Sequence, residues 1–262
     1  MASPDYAHHF SSRNIPFGVA SLKGDDKPQV ATRIENTVLL LQNLYLNGFF
    51  SQIKGLAEDV LSQSTVNRLA ALPKAVHRGI RKVIGDAFDM NGLDAFPRES
   101  RIDVSEATMH LPIEVRDFIG KTRPLPRSIP AHATDRPDFS CSLEHVKNAG
   151  RIITNNANPP PAFFNFPVGY QGRASSVVVS GTDIERPIGQ YRNTATGKIV
   201  VGASEKMDYE LEFAAIVGKP LPLRKRLLAT EADEYIFGFA LLNDWSGEFS
   251  FTFFPWVVLT GA

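Results

Sequence analysis

The sequence predicts an α+β chain built from two domains, and three observations carry that prediction. Helix-period apolar spacing runs through residues 64–88. Short runs rich in Val, Ile, Phe and Tyr, separated by Gly, Pro and Asn clusters, fill the chain after Asp138. Between them lies Ile119 to Pro137, a proline-rich stretch without apolar periodicity that reads as a linker. At 262 residues there is room for one large domain or two modest ones.

Asn14 to Ala20 reads as a turn leading into a strand, and Gly24 to Pro28 as a hairpin-type breaker before a second strand at Val30 to Ile34. Thr37 to Leu46 is apolar enough for a buried strand or a helix, and periodicity leaves both open. Ser64 to Leu72 is expected to be helical, with Ser64 as N-cap and Val66, Leu69, Ala70 and Leu72 on one side. Pro73 ends that helix or starts the next. Lys74 to Phe88 continues with Val76, Ile80, Val83 and Ile84 at helical spacing, and Lys74, Arg78, Arg81 and Lys82 read as a solvated face rather than a binding patch. Met109 to Asp117 is expected to be a strand at the domain border. Further strands are expected at Ser175 to Ser180, Lys198 to Val201, Tyr209 to Val217 and Ile236 to Leu242.

Composition excludes several function classes. Lys plus Arg and Asp plus Glu both number 28, so a broad nucleic-acid-binding surface lacks the cationic excess it needs. One cysteine, Cys141, excludes an internal disulfide and a cysteine-based zinc cage, and fits a reducing, cytoplasmic setting. Met1 to Phe10 lacks the basic-then-apolar pattern of a secretory signal. No charge-free run reaches the roughly 20 apolar residues of a membrane span. The nearest, Phe249 to Ala262, is short, contains Pro255, and reads as a core strand rather than a membrane tail.

The chemistry concentrates in Asp208 to Val217. On a strand, Glu210 and Glu212 share a face while Leu211 and Phe213 point into packing. Two adjacent carboxylates on a half-buried face repel unless something neutralises them, and a divalent cation such as Mg²⁺ or Ca²⁺ suits oxygen ligands. The plainer alternative is a polar face in water. Asp244 ends an apolar run and offers a third acid, or else caps a turn. Asp138 and His145, seven apart, would share a face if their segment is helical, placing a ligand and a proton acceptor on one cavity; otherwise they are an N-cap and a surface histidine. Gly169 to Arg173 lacks the Gly-Lys-Ser/Thr ending of a phosphate loop, but it could present Tyr170 to an anionic substrate. His77 sits among helix bases and carries little weight. Neither Gly-x-Ser-x-Gly nor His-Glu-x-x-His occurs, so serine esterase and zincin readings lack support.

Four stretches together resemble the fumarylacetoacetase family. They are Phe-Pro-Val-Gly-Tyr-Gln-Gly-Arg-Ala-Ser-Ser-Val-Val-Val-Ser-Gly-Thr from Phe166, Arg-Pro-Ile-Gly-Gln from Arg186, Asp-Tyr-Glu-Leu-Glu from Asp208, and Leu-Asn-Asp-Trp-Ser from Leu242. Asn14 to Ala20 is similar to the family's N-terminal domain, and the Gln-Gly-Arg-Ala-Ser-Ser form looks fungal.

The resemblance implies an SH3-like β-barrel with helices over 1–118, an insertion or linker over 119–137, and an incomplete mixed β-roll over 138–262. It implies Asp138, Glu210, Glu212 and Asp244 as ligands of Mg²⁺ or Ca²⁺, and His145 as the base that activates water. Tyr170 would contact the substrate carboxylate; Ser140 stands where the family has a tyrosine, and Arg151 is the nearest replacement for its substrate arginine. The implied reaction is hydrolysis of a carbon–carbon bond of 4-fumarylacetoacetate to fumarate and acetoacetate, in phenylalanine and tyrosine degradation, by a homodimer. After Ser246 the family continues with an Arg-Asp-Ile-Gln stretch, a catalytic lysine and a glutamate that orients the histidine. This chain departs from that pattern and is expected to be a weak enzyme or none. The alternatives are a related hydrolase or decarboxylase of acylpyruvate type, and a non-catalytic remnant that binds metal or a partner subunit.

Overall fold

The computed structural model describes residues 6–113, 135–166, 169–173, 176–193, 195–222 and 224–248. The chain divides into two compact units. One gathers residues 1–124, 178–180 and 215–240, and the other 125–177, 181–214 and 241–262. The architecture is mixed α and β, as the sequence predicts.

In the first unit, strands β1 (Gly18–Leu22), β2 (Gln29–Ile34), β3 (Thr37–Leu40), β4 (Arg101–Asp103) and β5 (Ala107–His110) form a sheet of order β4-β3-β2-β1-β5. Every neighbouring pair is antiparallel. Gly24, at φ +80°, sits in the β1–β2 connection, where a side chain would be strained. The β2–β3 turn has only Glu35 and Asn36 between paired Ile34 and Thr37, with Glu35 at φ +51°. Its N–H donates to the Phe10 carbonyl at 2.6 Å.

The sheet is apolar on both faces. Val19, Val30 and Leu39 join the large core against the helices, while Ala20, Ala31, Val38 and Leu40 form a second cluster with Ile102, Val104 and Ala107. Connectivity explains how the second face closes. Laid flat, a five-stranded sheet with strands about 4.8 Å apart would hold β4 and β5 about 19 Å from each other. The chain from Asp103 to Ala107 reaches at most about 14 Å. The sheet therefore curls. The connecting turn, Val104–Glu106, is tied at both ends: Val104 N–H donates to Asn36 O, and Lys23 N–H donates to Glu106 O, both at 2.8 Å.

Thr37 to Leu46, open in sequence, resolves into both alternatives: β3 followed directly by α1 (Leu41–Leu46). Helix α2 (Glu58–Leu61) is one turn long. So is α3 (Asn67–Ala70), which corrects the expected helix at 64–72. Val66 rather than Ser64 occupies its N-cap, without a side-chain cap, because Val66, Leu69 and Ala70 are all drawn into the core within that single turn. Helix α4 (Lys74–Asn91) follows Pro73 and buries Val76, His77, Ile80 and Ile84. Three of its four basic residues named above have partners: Lys74 pairs with Asp233 and Lys82 with Asp86, both at 2.6 Å. Arg81 donates through Nε to Ile15 O and lies over Phe17.

In the second unit, β6 (Asp135–Phe139) pairs antiparallel with β7 (Gly169–Arg173), and β8 (Ile188–Arg192) with β9 (Ile199–Ala203). Helix α5 (Leu143–Thr154) follows β6. Strands β10 (Lys206–Val217) and β11 (Ile236–Glu248) form a further two-stranded sheet. Their residues 206–214 and 241–248 belong to this unit, and 215–217 and 236–240 to the first.

Several expectations change here. Residues 176–180 form a turn and irregular chain rather than a strand, and Ser175 lies outside the described residues. The strand at the domain border is β5, ending at His110; residues 114–117 lie outside the described residues, as do 119–134 of the proline-rich stretch and the aromatic run 249–262. Leu211 and Phe213, expected to pack inward, are 74% and 71% exposed, since no second apolar layer covers that face of β10 among the described residues. No helix of the described residues is long and apolar enough to cross a membrane.

Candidate metal centre

Three strands bring three acids together. Asp138 lies on β6, with its Cα partner Tyr170 on β7, so Asp138 and His145 do not share a helix face. Ser142, not Asp138, is the N-cap of α5, its Oγ accepting from the His145 N–H at 3.3 Å. The hydroxyl competes best for that role because it sits where extended backbone turns into helix, with Glu144 in the first turn against the positive helix end. Glu212 lies on β10. Asp244 lies within β11 rather than at its end, because the strand runs on to Glu248.

One carboxylate oxygen from each of Asp138, Glu212 and Asp244 lies within 4.8 Å of the others, and all three residues are half-buried. The even-numbered positions of both strands share this burial: Glu212, Ala214 and Ile216 on β10, and Leu242, Asp244 and Ser246 on β11. Like charges that converge in partial burial repel, and an oxygen-preferring divalent cation cancels that repulsion with a donor set of this kind. The donors present fit such an ion.

Glu210 stands apart from the trio. Its Oε2 lies 3.7 Å from His145 Nε2, with both side chains about half exposed. The expected set of four acids therefore resolves, in this geometry, into a trio and an acid–imidazole pair. Arg151 Nη1 donates to Asn148 Oδ1 at 2.7 Å on the surface of α5, and Ser140 follows β6 directly. Tyr170 lies on β7 rather than in a loop. Sequence reasoning missed the tilted ring contact of Tyr209 with Trp245, with centroids 5.9 Å apart, which joins β10 to β11 one residue away from Glu210 and Asp244. Its only signal was an aromatic beside an acid on each strand.

Comparison with known proteins decides the family. Residues 13–112 match the model for the fumarylacetoacetase N-terminal domain, and residues 137–252 match that for the fumarylacetoacetate (FAA) hydrolase C-terminal domain. The chain belongs to the fumarylacetoacetase family. It is 34% identical over 284 residues to a fumarylacetoacetase of Aspergillus fumigatus, covering 97% of this chain and 62% of that protein. To the fumarylacetoacetase of Oryza sativa subsp. japonica it is 32% identical over 280 residues, covering 97% and 61%. To the human fumarylacetoacetase it is 33% identical over 243 residues, covering 90% and 54%. Plant and fungal identities this close do not assign a fungal origin. The chain spans about three-fifths of the length of the plant and fungal relatives. All the acids of the candidate centre, and His145, lie inside the C-terminal match.

Proposed function

We propose that the protein is a fumarylacetoacetase, hydrolysing a carbon–carbon bond of 4-fumarylacetoacetate to fumarate and acetoacetate in phenylalanine and tyrosine degradation. The observation that carries this reading is the convergence of Asp138, Glu212 and Asp244 from three strands, with Glu210, on the same strand as Glu212, paired to His145 of α5. In it, Asp138, Glu212 and Asp244 hold Mg²⁺ or Ca²⁺, with Glu210 as the fourth ligand. The bound ion supplies Lewis acidity toward the substrate's carbonyl oxygens.

His145 Nε2 accepts the proton of the attacking water, and the carboxylate of Glu210 stabilises the resulting imidazolium. The Ser142 cap fixes where the imidazole's backbone begins. Tyr170, Ser140 and Arg151 bind the substrate's carboxylate end. The proposed domains are 1–118, an SH3-like barrel for which the curled sheet is the support, a linker over 119–137, and a mixed β-roll over 138–262. A cytoplasmic homodimer completes the reading.

The experiment is a substrate panel with Mg²⁺ or Ca²⁺, scored by product identity. Cleavage of 4-fumarylacetoacetate that falls on Glu212→Gln and His145→Gln supports the proposal. Weak turnover is the expected level; preferential turnover of acylpyruvate overturns the reading, and no turnover with cation binding intact replaces it with the non-catalytic, metal-binding alternative. Glu210→Gln separates two roles: weakened cation affinity marks a ligand, whereas unchanged affinity with lost turnover marks only the partner of His145.

A further inference from the structure

The two long acid-bearing strands have a register problem. Shifting one strand by a single residue turns every side chain to the other face, and burial of one apolar face normally forbids it. Here that safeguard is weak: Leu211, Phe213 and Leu241 are each more than 70% exposed. A slip would leave Glu212 and Asp244 on opposite faces.

The root of the pair is built differently, and it lies within the first unit. Gly218, directly after β10, is buried, and its N–H donates to Tyr235 O at 2.8 Å. A Cβ there would collide with the Ala70 carbonyl oxygen at the end of α3 and lie 2.9 Å from Phe237 Cβ. Phe237, the second residue of β11, stacks on Phe17 at 6.0 Å and meets the His77 ring edge-on at 5.0 Å. His77 is itself held, with Nε2 donating to Leu69 O at 2.7 Å. Both strands are thus gripped where they meet α3 and α4.

We propose that Gly218 and Phe237 are positioning residues, a pin that sets the register of β10 against β11 and thereby the meeting of Glu212 with Asp244. The proposal rests on the cation reading above only for its second readout. Trp245, beside Asp244 and in tilted ring contact with Tyr209 across the strands, reports register without any metal. The chain has two tryptophans, so a Trp256→Phe background leaves Trp245 as the single emitter.

In that background, Gly218→Ala and Phe237→Ala should shift Trp245 emission and weaken Ca²⁺ binding about 10-fold, as losing support behind ligands does. Phe237→Leu, which keeps bulk, covers the case where Phe237→Ala fails to fold and should give a smaller shift of the same sign. Val38→Ala, a truncation in the second apolar cluster, to which Phe237 does not belong, controls for stability loss and should move neither readout. Unchanged Trp245 emission in the root variants, or an equal shift in Val38→Ala, overturns the pin. A shifted emission in a protein that binds no Ca²⁺ or Mg²⁺ supports the pin while removing the cation reading.

Discussion

Strands β1 to β3 and strands β8 to β11 draw on the same β-branched and aliphatic residues, yet they meet opposite surroundings. Val19, Val30 and Leu39 are fully buried, whereas Ile188, Ile199, Val201 and Leu241 are 62–75% exposed. Every buried apolar side chain among the described residues lies between Ile15 and Phe96. The difference teaches that alternation and residue type suffice to make a strand, while a core requires a second layer. In the first unit the curled sheet supplies one layer from itself and α1 to α4 supply the other. The β8–β9 and β10–β11 pairs present comparable faces without that closure among the described residues.

The largest test truncates the closed region. Leu69→Ala should cost about 3 kcal/mol by denaturant unfolding, as removal of a fully buried leucine does. A loss below about 1 kcal/mol would mean that the first unit is not the stability core. Next in size, Glu212→Ala should weaken Ca²⁺ or Mg²⁺ binding roughly 100-fold by calorimetry, because ligand charge tunes oxygen sites over decades. Unchanged affinity would reduce the second region's acids to a polar surface.

A smaller effect comes from His77. Burial, reinforced by nearby Arg81, Lys219 and Lys74 and partly opposed by the bond to Leu69 O, holds its imidazole below the ordinary value of about 6.5. The unfolded chain therefore binds the proton more readily. The stability contributed by neutral His77 is full above about pH 6.5 and declines as pH falls from there toward the lowered folded value. Thermal melts from pH 7.5 to 5 should show that decline, and His77→Gln should flatten it; an equal decline in the variant would assign the acid sensitivity elsewhere. Smallest of all, Phe213→Ser should change stability by less than about 0.5 kcal/mol, as exposed substitutions do. A large loss would show that a covering layer forms in solution and would dissolve the contrast between the two regions.

Much of the strand pattern was legible. The runs expected at 30–34, 198–201 and 209–217 from residue type and breakers fall within strands at 29–34, 199–203 and 206–217 apart from Lys198, and the periodic run 74–88 falls within α4. The Glu35–Asn36 turn was not, because a glutamate at positive φ carries no compositional signal. The single turn of α3 was not, because 64–72 is periodic over a longer stretch than the core can use. At the site, Glu212 and Asp244 were readable as acids beside apolar runs. Their meeting with Asp138 required a third strand, and no spacing along the chain encodes that.

The sequence by itself determined the family, the residue types available for chemistry, and which segments extend or coil, since these depend on local sterics and side-chain identity. Only the tertiary structure decided which acids converge, that Glu210 faces His145 while Asp138, Glu212 and Asp244 face one another, and which apolar residues are buried. The physical reason is that Coulombic and hydrophobic free energies depend on distance and water exposure. Residues 138, 212 and 244 acquire a mutual distance only once β6, β10 and β11 are in place.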